Sequence, residues 1–64
     1  MTFKFTCHEC DLVVFMKSKR LPILKGDYDQ KNHEWFVIAS FKPTDAVKLV
    51  KRAQWEINCY PFFG

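Results

Sequence analysis

Glycine is scarce in this chain of 64 residues: only Gly26 and Gly64 occur, and neither adjoins a Gly-Lys-Ser/Thr arrangement. A phosphate-cradling loop is thereby excluded. Histidine is as rare, and neither His8 nor His33 stands beside a serine or a carboxylate in a pattern that specifies nucleophilic catalysis. No acid/base pair presents itself, so an enzyme is not expected. Long apolar runs are missing too. Leu12 to Met16, as long as any, is far too short to span a bilayer, and Lys4, His8 and Glu9 occupy the place of a signal-peptide core. No membrane partner is expected. Three cysteines make an odd number, which argues against a secreted disulfide framework and makes the cytoplasm the expected compartment. There is no acidic excess either: a net charge of +3 excludes strongly acidic imitators of DNA and draws acidic partners only modestly.

What the chain does have is aromatic side chains: two Trp, two Tyr and seven Phe. A domain this short buries only about 60% of the surface its unfolded chain exposes, and large rings are an economical way to fill so small a core. The most legible stretch runs from Glu34 to Tyr60. Trp35 to Phe41 is aromatic and β-branched on both faces, as in a central strand. Pro43 ends it, and Thr44 and Asp45 supply a capping oxygen and an anion for a helix N-terminus. Ala46, Val47, Leu49, Val50 and Ala53 then form an apolar side at helical spacing, opposite Lys48, Lys51 and Arg52. Continuing that helix would hold Trp55 over the three cations in solvent. Ending it near Gln54 lets Trp55 open a strand to Tyr60, with Ile57 and Cys59 alternating against Glu56, Asn58 and Tyr60, and this second reading is the expectation.

Before that stretch, Phe3, Phe5 and Cys7 alternate with Thr2, Lys4 and Thr6, as in a strand. Asp11 to Met16 reads as a second strand, Lys17 to Arg20 as a basic turn, Leu21 to Leu24 as an edge strand that tolerates Pro22, and Gly26 to His33 as a polar loop. The expected fold is a single α+β domain over residues 1–64. It comprises a small antiparallel sheet of three to four strands with one helix packed on one face, in the order β-β-(β)-β-α-β.

Cys7-His8-Glu9-Cys10 is the one chemically suggestive spacing, because a Cys-x-x-Cys turn lets two thiolates converge on a zinc ion. Cys7 and Cys10 are half a site; Cys59 with His8 or His33 would have to complete it. The same spacing serves dithiol redox centres, but there it opens a helix, whereas strands are expected to flank it here. The plain alternative is two thiols at a strand end, one of them turned inward. Asp27, Asp29 and Asn32 lack the order and the closing glutamate of a calcium loop.

Two basic groups remain: Lys17, Lys19 and Arg20 in the turn, and Lys48, Lys51 and Arg52 beside Trp55 on the helix. Combined with exposed rings they could neutralise and stack single-stranded nucleic acid, although the paired aromatic consensus of the RNA-binding sheet is absent. Aromatics in excess of what so short a chain easily hides favour protein binding instead. These seven residues are the expected contact patches, on a monomer or small homo-oligomer.

The segment Trp35 to Cys59 resembles small proteins with which lytic phages take over their hosts. It carries Pro43-Thr44-Asp45-Ala46, Leu49-Val50-Lys51 and Glu56-Ile57-Asn58-Cys59. Together with Leu12-Val13-Val14-Phe15-Met16, it is similar to the T-even phage antitoxin Dmd family. The strand, the helix start and the tryptophan at the helix end are similar to podovirus inhibitors of host RNA polymerase, whose helix is acidic where this one is basic. The resemblance implies a non-enzymatic inhibitor of a larger host protein, either a toxin RNase or RNA polymerase. The alternative is a zinc-supported nucleic-acid-binding module built on Cys7 and Cys10.

Overall fold

In the computed structural model, which describes residues 1–64, the elements run β1 (Thr2–Cys7), α1 (Leu12–Ser18), β2 (Ile23–Asp29), β3 (Glu34–Ser40), α2 (Pro43–Ile57) and β4 (Phe62–Phe63). The sheet has four strands in the order β2-β3-β1-β4, with every neighbouring pair antiparallel. This is the split βαβ arrangement. Each helix carries the chain across one intervening strand to a parallel position. The two crossovers run in opposite directions from oppositely pointing strands, so the same handedness sets both helices on one face of the sheet.

The core follows from that placement. Phe3, Phe5 and Cys7 of β1 and Val37 and Ala39 of β3 point to the helix side, where Leu12, Phe15 and Met16 of α1 and Ala46, Leu49 and Ala53 of α2 cover them. Register keeps like with like: Phe3 faces Ala39, Phe5 faces Val37, and Cys7 faces Trp35. The opposite face is left bare. There Lys4 lies 5.5 Å from the centroid of the Phe36 ring, and Phe62, paired with Thr6, is exposed.

The α+β class and the antiparallel sheet agree with expectation, but there are two helices. Leu12 to Met16 is helical because Asp11 caps it, its Oδ1 accepting from the Val14 N–H at 3.1 Å. Leu12, Phe15 and Met16 then fall at helical spacing and are the buried members of the run, while Val14 is exposed. Arg20, with φ 58°, closes the helix. Its N–H donates to the Lys17 carbonyl and that of Leu21 to the Met16 carbonyl, the paired bonds of a Schellman ending.

Three further boundaries differ from the sequence reading. The edge strand does not stop at Leu24. A register shift between Ile23 and Lys25 leaves Leu24 in solvent, and pairing with β3 resumes as far as Asp29. The first half of the polar stretch, residues 26–29, is therefore strand, and residues 30–33 turn. Asp29 organises that turn, its Oδ1 accepting from the N–H groups of Lys31 and Asn32, and His33 adopts φ 53°. Pro43 is the first residue of α2 rather than a stop before it, and the N-cap Lys42 makes no side-chain cap bond. The helix also runs on through Trp55 to Ile57, where Asn58, at φ 51°, turns the chain. Trp55 to Tyr60 is thus not a strand, and the last strand is the two-residue β4.

Gly26 lies beneath α1. A Cβ built there would stand 2.9 Å from Val13 Cγ2 and 3.3 Å from Val37 Cγ2, and these branched side chains have little freedom to swing aside. Gly26→Ala is expected to destabilise the domain by about 1–3 kcal/mol, the usual cost of overpacking, in urea unfolding. Gly64→Ala, which meets nothing, is expected to leave the midpoint unchanged.

Candidate functional site

Two places on this scaffold gather functional side chains. The first lies at the end of β1. Cys7 is the last residue of that strand, Cys10 sits in the turn to α1, and Cys59 follows the left-handed Asn58 after α2. The Cys59 N–H donates to the Ala53 carbonyl at 3.2 Å, which folds the chain back and drives the side chain inward. All three sulfurs meet. Cys7 Sγ lies 2.9 Å from Cys10 Sγ and 2.7 Å from Cys59 Sγ, and Cys10 and Cys59 are in bonding contact as a disulfide pair. Cys7 and Cys59 are buried and Cys10 is partly so. Three cysteines brought together in this way could, with the Cys10–Cys59 bond reduced, bind a metal ion.

The expected pair Cys7 and Cys10 is therefore joined by Cys59, but neither of the histidines expected to accompany Cys59 enters. His8 is drawn away along the strand. Its Nδ1 lies 3.0 Å from the His33 carbonyl oxygen and its Nε2 3.6 Å from a Glu34 carboxylate oxygen.

The second place is the outer side of α2 with the turn after α1. Lys48, Lys51, Arg52 and Trp55 stand at i, i+3, i+4 and i+7, so helical continuation puts all four on one stripe. Each is exposed, and Trp55 is 89% exposed, the most of any large apolar side chain. The two predicted basic groups prove to be one surface. Lys19 Nζ donates to Glu56 Oε1, and Arg52 Nε donates to Glu56 Oε2 at 2.8 Å, so one carboxylate ties the turn to the helix. Lys17 and Arg20 flank Lys19 and are exposed.

Between turn and helix lies a groove of about 280 Å³ with an apolar floor of Leu21, Phe41 and Leu49 and a rim of Lys19, Lys48 and Arg52, to which Asp45 adds the one acid. Charge is sorted across the molecule. Residues 17–20 and 42–57 hold seven of the ten Lys and Arg but two of the seven Asp and Glu. The other acids lie in the turn after β1, on β2 and at the start of β3.

Glu56 and the groove floor were not anticipated as parts of a site. The i, i+4 spacing of Arg52 and Glu56 is visible in the sequence, but the approach of Lys19 depends on tertiary packing. Comparison with protein-family models, curated proteins and solved structures gives no match for the chain. No helix is long and apolar enough to cross a membrane.

The hydrogen bond from Lys19, with Arg52 adding to it, holds the Glu56 carboxyl below its ordinary range. A carboxylate whose folded-state value is depressed stabilises the fold above its unfolded value, about pH 4.3, and that contribution disappears as pH falls through the depressed value. Glu56→Gln is therefore expected to lower the urea midpoint slightly at pH 7, by an amount that shrinks in high salt. The gap between variant and wild type should narrow from about pH 4.3 downward, which paired urea titrations along a pH series check.

Proposed function

We propose that this chain is a non-enzymatic binding protein that grips an acidic surface of a larger protein with the outer side of α2. The observation that carries the reading is Trp55. A tryptophan left 89% exposed at the end of a stripe of three cations contributes almost nothing to the core, yet it is the residue type that most often anchors an interface. The sorted charge supports it, since complementary potentials steer encounter and set register.

A protein is favoured over nucleic acid because the cations are interrupted by Asp45 and Glu56, which would repel phosphates, and because the groove between them has an apolar floor suited to a side chain. The host targets implied by the resemblance, RNA polymerase and toxin RNases, are the first partners to try, and an inhibitory outcome follows if α2 covers a working surface. In this reading the three cysteines are a zinc staple that holds the end of β1 to the end of α2.

The test is a titration of the purified chain against each candidate. Trp55→Ala should weaken binding about 30-fold or more, the effect of losing a hot spot, with its circular dichroism unchanged. Lys51→Glu with Arg52→Glu should abolish the salt dependence of the association rate. Equal binding by Trp55→Ala, or tight binding to a single-stranded oligonucleotide and to neither protein, would sink the proposal. For the staple, metal analysis of the reduced protein should return one zinc per chain, with none in Cys7→Ser.

A further inference from the structure

We infer that the zinc held by Cys7, Cys10 and Cys59 keeps its fourth coordination position open to a ligand from outside the chain. The inference deepens the zinc reading above and rests on it. It begins from the number of sulfurs. A disulfide needs two cysteines and gives no reason for a third thiol almost equidistant from both, whereas three thiolates converging on one point are what a thiophilic cation requires. Zinc–sulfur bonds of about 2.3 Å set tetrahedral thiolates about 3.8 Å apart, so admitting the ion moves Cys7 from the other two sulfurs by about an ångström and, once their bond is reduced, Cys10 and Cys59 from each other by about two, within the reach of side-chain rotations. Opening the Cys10–Cys59 bond takes two electrons and two protons from a thiol or phosphine reductant; the three thiols of the reduced chain then release their protons to solvent on binding the ion, which is itself neither oxidised nor reduced.

The fourth ligand is not supplied by the chain. The cluster of metal-capable side chains ends at three. His8 is committed to the His33 carbonyl and Glu34. The Tyr60 hydroxyl donates to Asn58 Oδ1 at 3.1 Å. What borders the cluster instead is a cavity of about 220 Å³ with Cys7 in its wall, together with His8, Glu9, Tyr60 and Phe62. A site with three protein ligands and room beside it is the pattern in which zinc retains an exchangeable position, in contrast to the closed four-ligand staple. Through that cavity a water, an imidazole or a thiolate can reach the ion, and each is small enough for the space.

The experiment uses the full chain, reduced with a phosphine under argon and loaded with one equivalent of cobalt(II) in place of zinc. The thiolate-to-cobalt absorption should correspond to three sulfurs, and adding imidazole or a small thiol should shift the visible bands in a saturable way. Glu9→Gln should leave both the spectrum and the response unchanged. Each of Cys7→Ser, Cys10→Ser and Cys59→Ser should weaken metal binding by more than about 100-fold, beyond the range for outer-shell partners. Where such a variant unfolds, the wild-type cobalt spectrum still decides.

The two failures look different. If the reduced chain binds neither cobalt nor zinc, the zinc reading falls and this inference with it. If metal binds but the bands ignore added ligands, or Glu9→Gln alters them, the staple stands and the open position is overturned.

Discussion

The fold depends on β1 having a partner on each side and both helices over one of its faces. Phe3, Phe5 and Cys7 are the inward row of that strand, and each meets residues from more than one other element. Phe5 alone is 1% exposed, pairs with Val37 on one side and Phe63 on the other, and packs its ring at 5.8 Å from that of Phe41. A chain of 64 residues has little apolar area to spend. Covering one face of the sheet with both helices concentrates the cover where these rings are, and leaves the other face to Thr2, Lys4 and Thr6 and their neighbours. The small residues opposite, Ala39 and Gly26 on the sheet and Ala46 and Ala53 on α2, are what let backbone and helix approach closely enough to leave the core without large gaps.

Much of this was legible in the residues. The alternation at Phe3, Phe5 and Cys7, the double-sided run from Trp35, and the apolar stripe through Ala46, Leu49 and Ala53 each point to the element that is found. What could not be read was the state of runs too short to show a period. Leu12 to Met16 is five apolar residues in a row, equally suited to a buried strand or a helix, and the Asp11 cap that decides it is one weak local signal. Tyr28 is in a strand because Trp35 lies across from it with their rings 5.0 Å apart, a partner that a local reading of the polar stretch does not supply. Trp55 shows the reverse case. Its β propensity favours a strand, yet the helix continues because Glu56, the next residue, is held by Arg52 one turn before it and by Lys19, and it stops only at Asn58.

The candidate sites divide along the same line. A stripe of cations at helical spacing is a local property, so Lys48, Lys51 and Arg52 could be grouped from sequence alone. Their union with Lys17, Lys19 and Arg20 could not, since it passes through one carboxylate 37 residues away from Lys19. Cys7 and Cys10 declare themselves by spacing, but Cys59 is 52 residues from Cys7 and joins them only because β1 and the end of α2 arrive at the same edge of the core. In sequence Cys59 could be grouped with them only as a ligand accompanied by His8 or His33, because nothing local ties it to the pair.

The sorting of charge has a consequence for how this molecule travels. With seven of its ten cations in residues 17–20 and 42–57 and five of its seven carboxylates in the β1–α1 turn, on β2 and at the start of β3, the domain carries an uneven charge distribution as well as a weak net positive charge. In the field of an acidic surface it experiences a torque before any atom touches, and rotates until α2 leads. Under the proposed reading, orientation would be selected during diffusion, and a larger share of collisions with an acidic partner would begin with Trp55 turned toward it.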